Sequence, residues 1–315
     1  MTTCIGAHTV SRRTALTGVA GGVLGVAFPR PAIHASAQDA SPDPGPDGVS
    51  VEYGVVYGEI QGRPLLLDVY RPVDRDVPRP AVLVFHGGGW TYGISGPSDM
   101  DVPARALATA GYVTFNVSYR RTGDPAGEYV WPDQLDDVQR SVRWVRANAA
   151  TYGADPDRIG AYGHSAGAHL ASMLGVRETR DDSDATLAGI SSRVSWVVAL
   201  AGQFDLTIPY SNDFARDAVV ALLGGGLEDV PDAFGDASPV TWTGAESASF
   251  LIIHGGADDQ IMPVQARTMV GALQRATVDV VYAELAHEDH FTVAAWPISG
   301  PWTLTFFDLN LRPDE

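Results

Sequence analysis

A five-residue run, Gly163-His164-Ser165-Ala166-Gly167, joins an apolar segment at 158–162 to an apolar stretch at 168–176. The first reads as a β-strand and the second can open as a helix, so the two glycines bracket a sharp strand-to-helix turn. A side chain at 163 or 167 would collide with the neighbouring strand or helix, and the serine between them is pushed into a strained backbone conformation. Free N–H groups at the start of the new helix point towards the same spot. In a chain with 34 glycines the five-residue pattern alone has little specificity. Its placement between strand and helix makes Ser165 a candidate nucleophile.

The rest of the chain supplies the matching frame. Apolar runs at 65–70, 81–85, 112–117, 158–162, 194–200, 250–254 and 278–285 are strand-like, with helical segments between several of them. The clearest helix is expected over 132–152, where Leu135, Val138, Val142, Trp144 and Val145 form one face and Pro132 suits the first turn. Alternating strands and helices predict an α/β fold, a mostly parallel sheet covered on both faces. There is no internal repeat, no heptad seam and no domain-sized linker after residue 50, so one catalytic domain over 51–315 is expected and nothing prescribes an assembly.

With 45% apolar and 19% charged residues the composition is that of a globular chain with a buried core. Acidic residues number 38 against 21 basic ones, all of them arginine, for a formal charge of −17, which argues against duplex nucleic acid as a partner. Cys4 is the single cysteine, which excludes an intramolecular disulfide and any cysteine-built metal or thiol site. Ser11, Arg12 and Arg13 precede an apolar, glycine-rich stretch at 14–28, and Ala35-Ser36-Ala37 supplies a small-residue cleavage site. Residues 1–37 therefore read as a twin-arginine signal peptide, and 38–50, rich in Pro, Asp and Gly, as a flexible linker. The apolar stretch is too short to span roughly 30 Å of hydrocarbon, so the expected destination is periplasmic or extracellular with no stable membrane anchor after cleavage.

A second glycine run, His86-Gly87-Gly88-Gly89-Trp90, directly follows the apolar run 81–85. Backbone N–H groups in such a loop can stabilise negative charge developing on a carbonyl oxygen, and glycine lets the backbone come close enough. Gly88 and Gly89, with the N–H of Ala166, are the expected oxyanion donors. No Lys-Ser or Lys-Thr follows and the G-x-G-x-x-G spacing is absent, so a phosphate cradle is disfavoured.

The pairing of His86–Trp90 with Gly163–Gly167, together with Tyr152-Gly153-Ala154-Asp155-Pro156-Asp157-Arg158-Ile159, resembles the bacterial esterase and lipase group related to hormone-sensitive lipase. The likeness runs from about 51 to 309 and includes Ala237-Ser238-Pro239 and the run 194–206. It implies the α/β-hydrolase fold and a serine hydrolase. The short polar stretch at 38–50 leaves no room for the N-terminal helical cap of many such relatives, so no large cap domain and a more open pocket are expected.

A serine hydroxyl needs a base to take its proton and a carboxylate to orient that base. His8 and His34 lie in the signal region, His86 in the oxyanion loop, His164 beside the serine and His254 at a strand end, which leaves His169, His287 and His290. The order nucleophile, acid, base, with the base on a late loop, narrows these to His287 and His290. The acid should close the preceding strand, where His254-Gly255-Gly256-Ala257-Asp258-Asp259 offers two aspartates. This segment and Glu288-Asp289-His290 resemble the acid and base segments of prolyl-oligopeptidase-type catalytic domains, with Phe291 standing where that group has glycine. Counted from His254-Gly255, the resemblance implies Asp258 as acid, and it selects His290 as base; counting back from Pro263 would instead favour Asp259.

The expected reaction is hydrolysis of a small-molecule carboxylic ester with a short acyl chain, through an acyl-enzyme on Ser165 and without a metal or organic cofactor. Trp90, Tyr92, Trp131, Phe204 and Trp242 are expected to line an apolar acyl pocket. The same residues would also serve an amidase or peptidase, an arylformamide being the favoured amide, or an esterase removing acetyl or feruloyl groups from plant polysaccharide. A non-catalytic binding module on the same fold is the reading from another class.

Overall fold

The structure, a computed structural model, describes residues 45, 47–73 and 77–312. The signal-peptide reading of 1–37 and most of the expected linker lie outside these residues. Val49 and Ser50, expected in that linker, are buried at the head of the first strand.

The strands are β1 (Val49–Ile60), β2 (Arg63–Pro72), β3 (Arg79–Phe85), β4 (Val113–Val117), β5 (Ala154–His164), β6 (Trp196–Leu200), β7 (Ser249–Gly255) and β8 (Val280–Leu285). They form one sheet in the order β1-β2-β4-β3-β5-β6-β7-β8. β2 is antiparallel to both its neighbours, and from β4 to β8 every pair is parallel. The sequence reading contained every strand but β1. That strand is interrupted by Gly54 and Gly58 and by register shifts, which hide its alternation. It turns into β2 through Gln61 and Gly62, both at positive φ (52° and 78°), as a tight two-residue hairpin requires.

The helices are α1 (Asp101–Thr109), α2 (Asp133–Tyr152), α3 (Ala166–Val176), α4 (Asp213–Leu223), α5 (Pro231–Ala237), α6 (Val264–Arg275) and α7 (Trp296–Leu311). Alternation along the buried strands assigns them to two faces. Ala81, Leu83 and Phe85 of β3 pack with Leu135, Val138 and Val142 of α2, Leu170 and Leu174 of α3 and Met269 of α6. Val82 and Val84 point the other way, into a second core with Leu107 of α1 and Phe307 of α7. The expectation of a mostly parallel sheet with helices on both faces is met. Residues 201–248, between β6 and β7, carry α4 and α5, whose Val219, Leu222 and Phe234 merge into the first core rather than forming a separate cap.

The site follows from the strand order. β3 leads to α1 on one face and β5 to α3 on the other, although the two strands are neighbours, with Phe85 opposite Gly163. Chains leaving adjacent strand ends in opposite directions open a crevice at the carboxyl edge of the sheet. The loop 86–90 and Ser165 stand on its two sides.

Candidate active site

Ser165 caps the start of α3 with φ 57° and ψ −121°, a conformation costly for any residue with a side chain. The flanking glycines explain how it is held. A Cβ on Gly163 would lie 2.2 Å from the carbonyl oxygen of Gly167, and one on Gly167 would lie 2.0 Å from the carbonyl oxygen of Phe85. Helix, turn and strand β3 thus touch backbone to backbone, and the N–H of Ser165 is tied to the Leu200 carbonyl at 2.9 Å.

The Oγ of Ser165 lies 3.0 Å from Nε2 of His290, and Nδ1 of His290 lies 2.8 Å from Oδ2 of Asp258. All three side chains are buried. Oδ1 of Asp258 accepts the backbone N–H groups of Gln260 and Ile261, at 2.9 and 2.8 Å. Burial alone would raise the Asp258 carboxyl. Hydrogen bonds from His254 and His290, the His290 charge and the Ile261 N–H outweigh it and hold the carboxyl well below the usual carboxylate range. The alternatives Asp259 and His287 are exposed to solvent. His169, the remaining histidine, is buried in α3, where its Nε2 meets the Ala237 carbonyl at 2.7 Å.

The carbonyls of the loop after β3 are held in place. The His86 ring lies against the Gly87 carbonyl at 2.9 Å, the Thr91 N–H donates to the Gly88 carbonyl at 3.0 Å, and the Thr91 hydroxyl donates to the Gly89 carbonyl at 3.0 Å. In a trans peptide the C=O and N–H point in opposite directions, so fixing the Gly87 and Gly88 carbonyls also fixes the N–H groups of Gly88 and Gly89. Both glycines have positive φ (95° and 59°) and both line the cleft that contains Ser165 and His290. Tyr119 supports the loop from below, stacking on the His86 ring and donating to its carbonyl at 2.8 Å.

The cleft has a volume of about 510 Å³. Of the five aromatic residues expected to line it, only Trp90 does. Phe204 is fully buried in the core, Trp131 donates through Nε1 to Asp236 at 2.7 Å, Trp242 lies under Arg177 at 4.0 Å, and Tyr92 sits outside under Arg121. The walls come from elsewhere: Phe214 and Ala218 of α4, Met100, Tyr162, Phe291 and Trp296. Aromatic identity alone did not tell core packing from pocket lining.

The BD-FAE family matches residues 67–273, a span that holds the glycine loop 86–90, Ser165 and Asp258. The chain belongs to the BD-FAE family. Among related proteins, it is 32% identical over 244 residues to the probable carboxylic ester hydrolase LipM of Mycobacterium tuberculosis, covering 75% of this chain and 55% of that protein. It is 31% identical over 250 residues to esterase LipQ of the same organism, covering 74% and 56%. The chain thus spans little more than half the length of these curated relatives. A solved structure of a truncated carbohydrate esterase from gut microbiota superposes with a TM-score of 0.73 at 23% identity, over 85% of this chain and 99% of that one. That likeness and the sheet order establish the α/β-hydrolase fold that the resemblance implied.

Two BD-FAE residues beside the serine and the acid were not foreseen. His254, set aside as a strand end, is fully buried with Nε2 2.8 Å from the Ile261 carbonyl and 3.3 Å from Oδ2 of Asp258. His164 reaches across to the base loop, its Nε2 2.8 Å from the His290 carbonyl oxygen, and burial brings its pKa down to about 4. Each is visible in the sequence as a histidine next to a motif. Neither contact is: that of His164 joins loops far apart in the chain, and that of His254, though only four and seven residues long, depends on how the loop after β7 turns back on its own strand.

Proposed function

We propose that this BD-FAE chain hydrolyses carboxylic esters of small molecules through an acyl-enzyme on Ser165. The observation that carries the reading is the continuous hydrogen-bonded chain Asp258–His290–Ser165, which ends in the same cleft as the Gly88 and Gly89 backbone. The names of LipM and LipQ support an ester as the bond cleaved.

The hydroxyl of Ser165 attacks the acyl carbonyl as His290 Nε2 takes its proton, while Asp258 holds Nδ1–H and stabilises the imidazolium that forms. The developing oxyanion rests on the N–H groups of Gly88, Gly89 and Ala166. His290 then returns the proton to the leaving alcohol. Water, activated by the same histidine, releases the acid and restores Ser165. A cleft of about 510 Å³ suits short acyl chains and small alcohols.

The test is a panel of nitrophenyl esters of increasing chain length, with matched nitroanilides, alongside labelling by a fluorophosphonate probe. Short esters should be turned over, anilides far more slowly, and Ser165→Ala should abolish both labelling and turnover. Folded protein left unlabelled at Ser165 would refute the proposal.

We also propose export through the twin-arginine route, on the strength of Arg12-Arg13, the apolar stretch at 14–28 and Ala35-Ser36-Ala37. A double Arg12→Lys, Arg13→Lys variant should stay inside cells that export the parent chain.

A further inference from the structure

The two ends of the cleft differ in chemistry. Towards α1 and α7 its wall is mostly apolar, with Met100, Val102, Pro103, Phe291 and Trp296 beside Ser95 and Asp99. Towards α4 it holds two carboxamides, Gln203 and Gln260, beside Ala215 and Ile261. Gln203 is the unusual one. It is 5% exposed, it lines the cleft, and among the described residues its side chain makes no hydrogen bond. Of the other polar side chains of the cleft, Ser95 donates to Asp99 and Gln260 donates to Asp259 at 3.3 Å, whereas the buried Nε1 of Trp90 has no partner among the described residues.

The backbone around Gln203 is built to hold it. Oε1 of Gln265 accepts the N–H groups of Phe204 and Asp205, both at 2.8 Å, and its Nε2 donates to the Asp205 carbonyl at 2.8 Å. The Ser238 hydroxyl accepts the Leu206 N–H at 2.9 Å. The three backbone N–H groups that follow Gln203 are thus satisfied, while its own carboxamide has no hydrogen bond among the described residues. The carboxamide tip still reaches solvent in the cleft, so a bound substrate group can take the place of water as its hydrogen-bond partner.

We propose that Gln203 is the residue that reads the acyl group, donating a hydrogen bond to a polar substituent such as an ether or hydroxyl oxygen on the acyl chain. This rests on the esterase reading above. The leaving alcohol must lie against Nε2 of His290, whose neighbour in ring contact is Phe291 at the apolar end, which leaves the α4 end for the acyl chain. The preferred substrate is then an ester of a short oxygenated acid with an apolar alcohol.

The experiment compares kcat/KM for nitrophenyl methoxyacetate and nitrophenyl butanoate, which have the same shape and differ by one ether oxygen. Three proteins are compared: the full chain, Gln203→Met and Gln203→Glu. Taking the substrate ratio within each protein, and its change between proteins, cancels the intrinsic reactivity of the two esters. The ratio should fall about tenfold in Gln203→Met, the order of one neutral hydrogen bond, and fall likewise in Gln203→Glu, which keeps the shape but has no amide donor. An unchanged ratio in either variant overturns the proposal. A control pair, butyl and 2-methoxyethyl butanoate, should show no change of ratio; a change there and not in the acyl pair also overturns it. If the full chain hydrolyses none of these esters and escapes fluorophosphonate labelling, the esterase reading itself has failed.

Discussion

His254 and His290 share one oxygen of the same carboxylate: Oδ2 of Asp258 lies 2.8 Å from Nδ1 of His290 and 3.3 Å from Nε2 of His254. His254 also meets the carbonyl of Ile261, whose N–H binds the other carboxylate oxygen, so one imidazole ties both ends of the acid loop. Replacing His254 with phenylalanine should cut kcat about tenfold with little change in KM, because the acid loses its orientation while the cleft keeps its shape. His254→Gln, which restores an N–H donor, should recover most of it. A loss in His254→Gln as large as in His254→Phe would show that the N–H donated to Asp258 is not what the imidazole supplies.

The two adjacent aspartates should separate cleanly. Asp258→Ala removes the group that orients the base and should lower kcat by about three to four orders of magnitude, whereas the solvent-exposed Asp259 can be replaced by alanine with less than a threefold effect. Steady-state kinetics on nitrophenyl butanoate decide it. The larger loss at Asp259 would move the acid to the neighbouring residue.

Gly163→Ala and Gly167→Ala should each prevent folding rather than merely slow the reaction. The added methyl meets backbone atoms at 2.2 and 2.0 Å, and neither the α3 backbone nor the β3 carbonyl can move aside without breaking the turn. Soluble yield and circular dichroism report this before any assay. Gly153→Ala is a control: it also has positive φ, 70°, but nothing lies within 4 Å of an added Cβ, so it should cost only about 1 kcal/mol.

Stability should depend on pH through three histidines. Burial lowers His86, His164 and His169 from 6.5 to about 4. Between those values the unfolded chain takes up protons that the folded chain refuses. Their contribution is therefore complete above pH 6.5 and declines as pH falls towards 4, by about 1.4 kcal/mol per pH unit for each histidine. Urea midpoints should be level from pH 8 to 7 and drop below 6.5. The drop should be shallower in His169→Gln, where one of the three protons no longer counts; an unchanged slope would remove that residue from the account.

Much of the fold was legible because it depends on local pattern. Seven of the eight strands among the described residues are short apolar runs, and α2 carries an apolar face from Leu135 to Val145. β1 escaped because Gly54 and Gly58 break its period and because, as an edge strand, it buries only part of each face. The glycine requirements at 163 and 167 were equally readable, since a strand-to-helix turn of that tightness admits no Cβ.

What the amino-acid sequence determined by itself, then, is the alternating frame and the pieces whose chemistry is local: the serine turn, the glycine loop, and a late aspartate and histidine in the right order. What only the tertiary structure decided is convergence. In the loop after β7 the Asp258 carboxylate turns inward to meet His290 and that of Asp259 faces water, a difference no spacing along the chain shows. The contact of His164 with the His290 carbonyl, the displacement of four expected aromatics from the cleft and the unpartnered Gln203 depend on which strand ends become neighbours. Strand order and register bring residues 86–90, 165, 203, 258 and 290 to one edge of the sheet, and no local pattern in the chain encodes the angles at which their side chains meet.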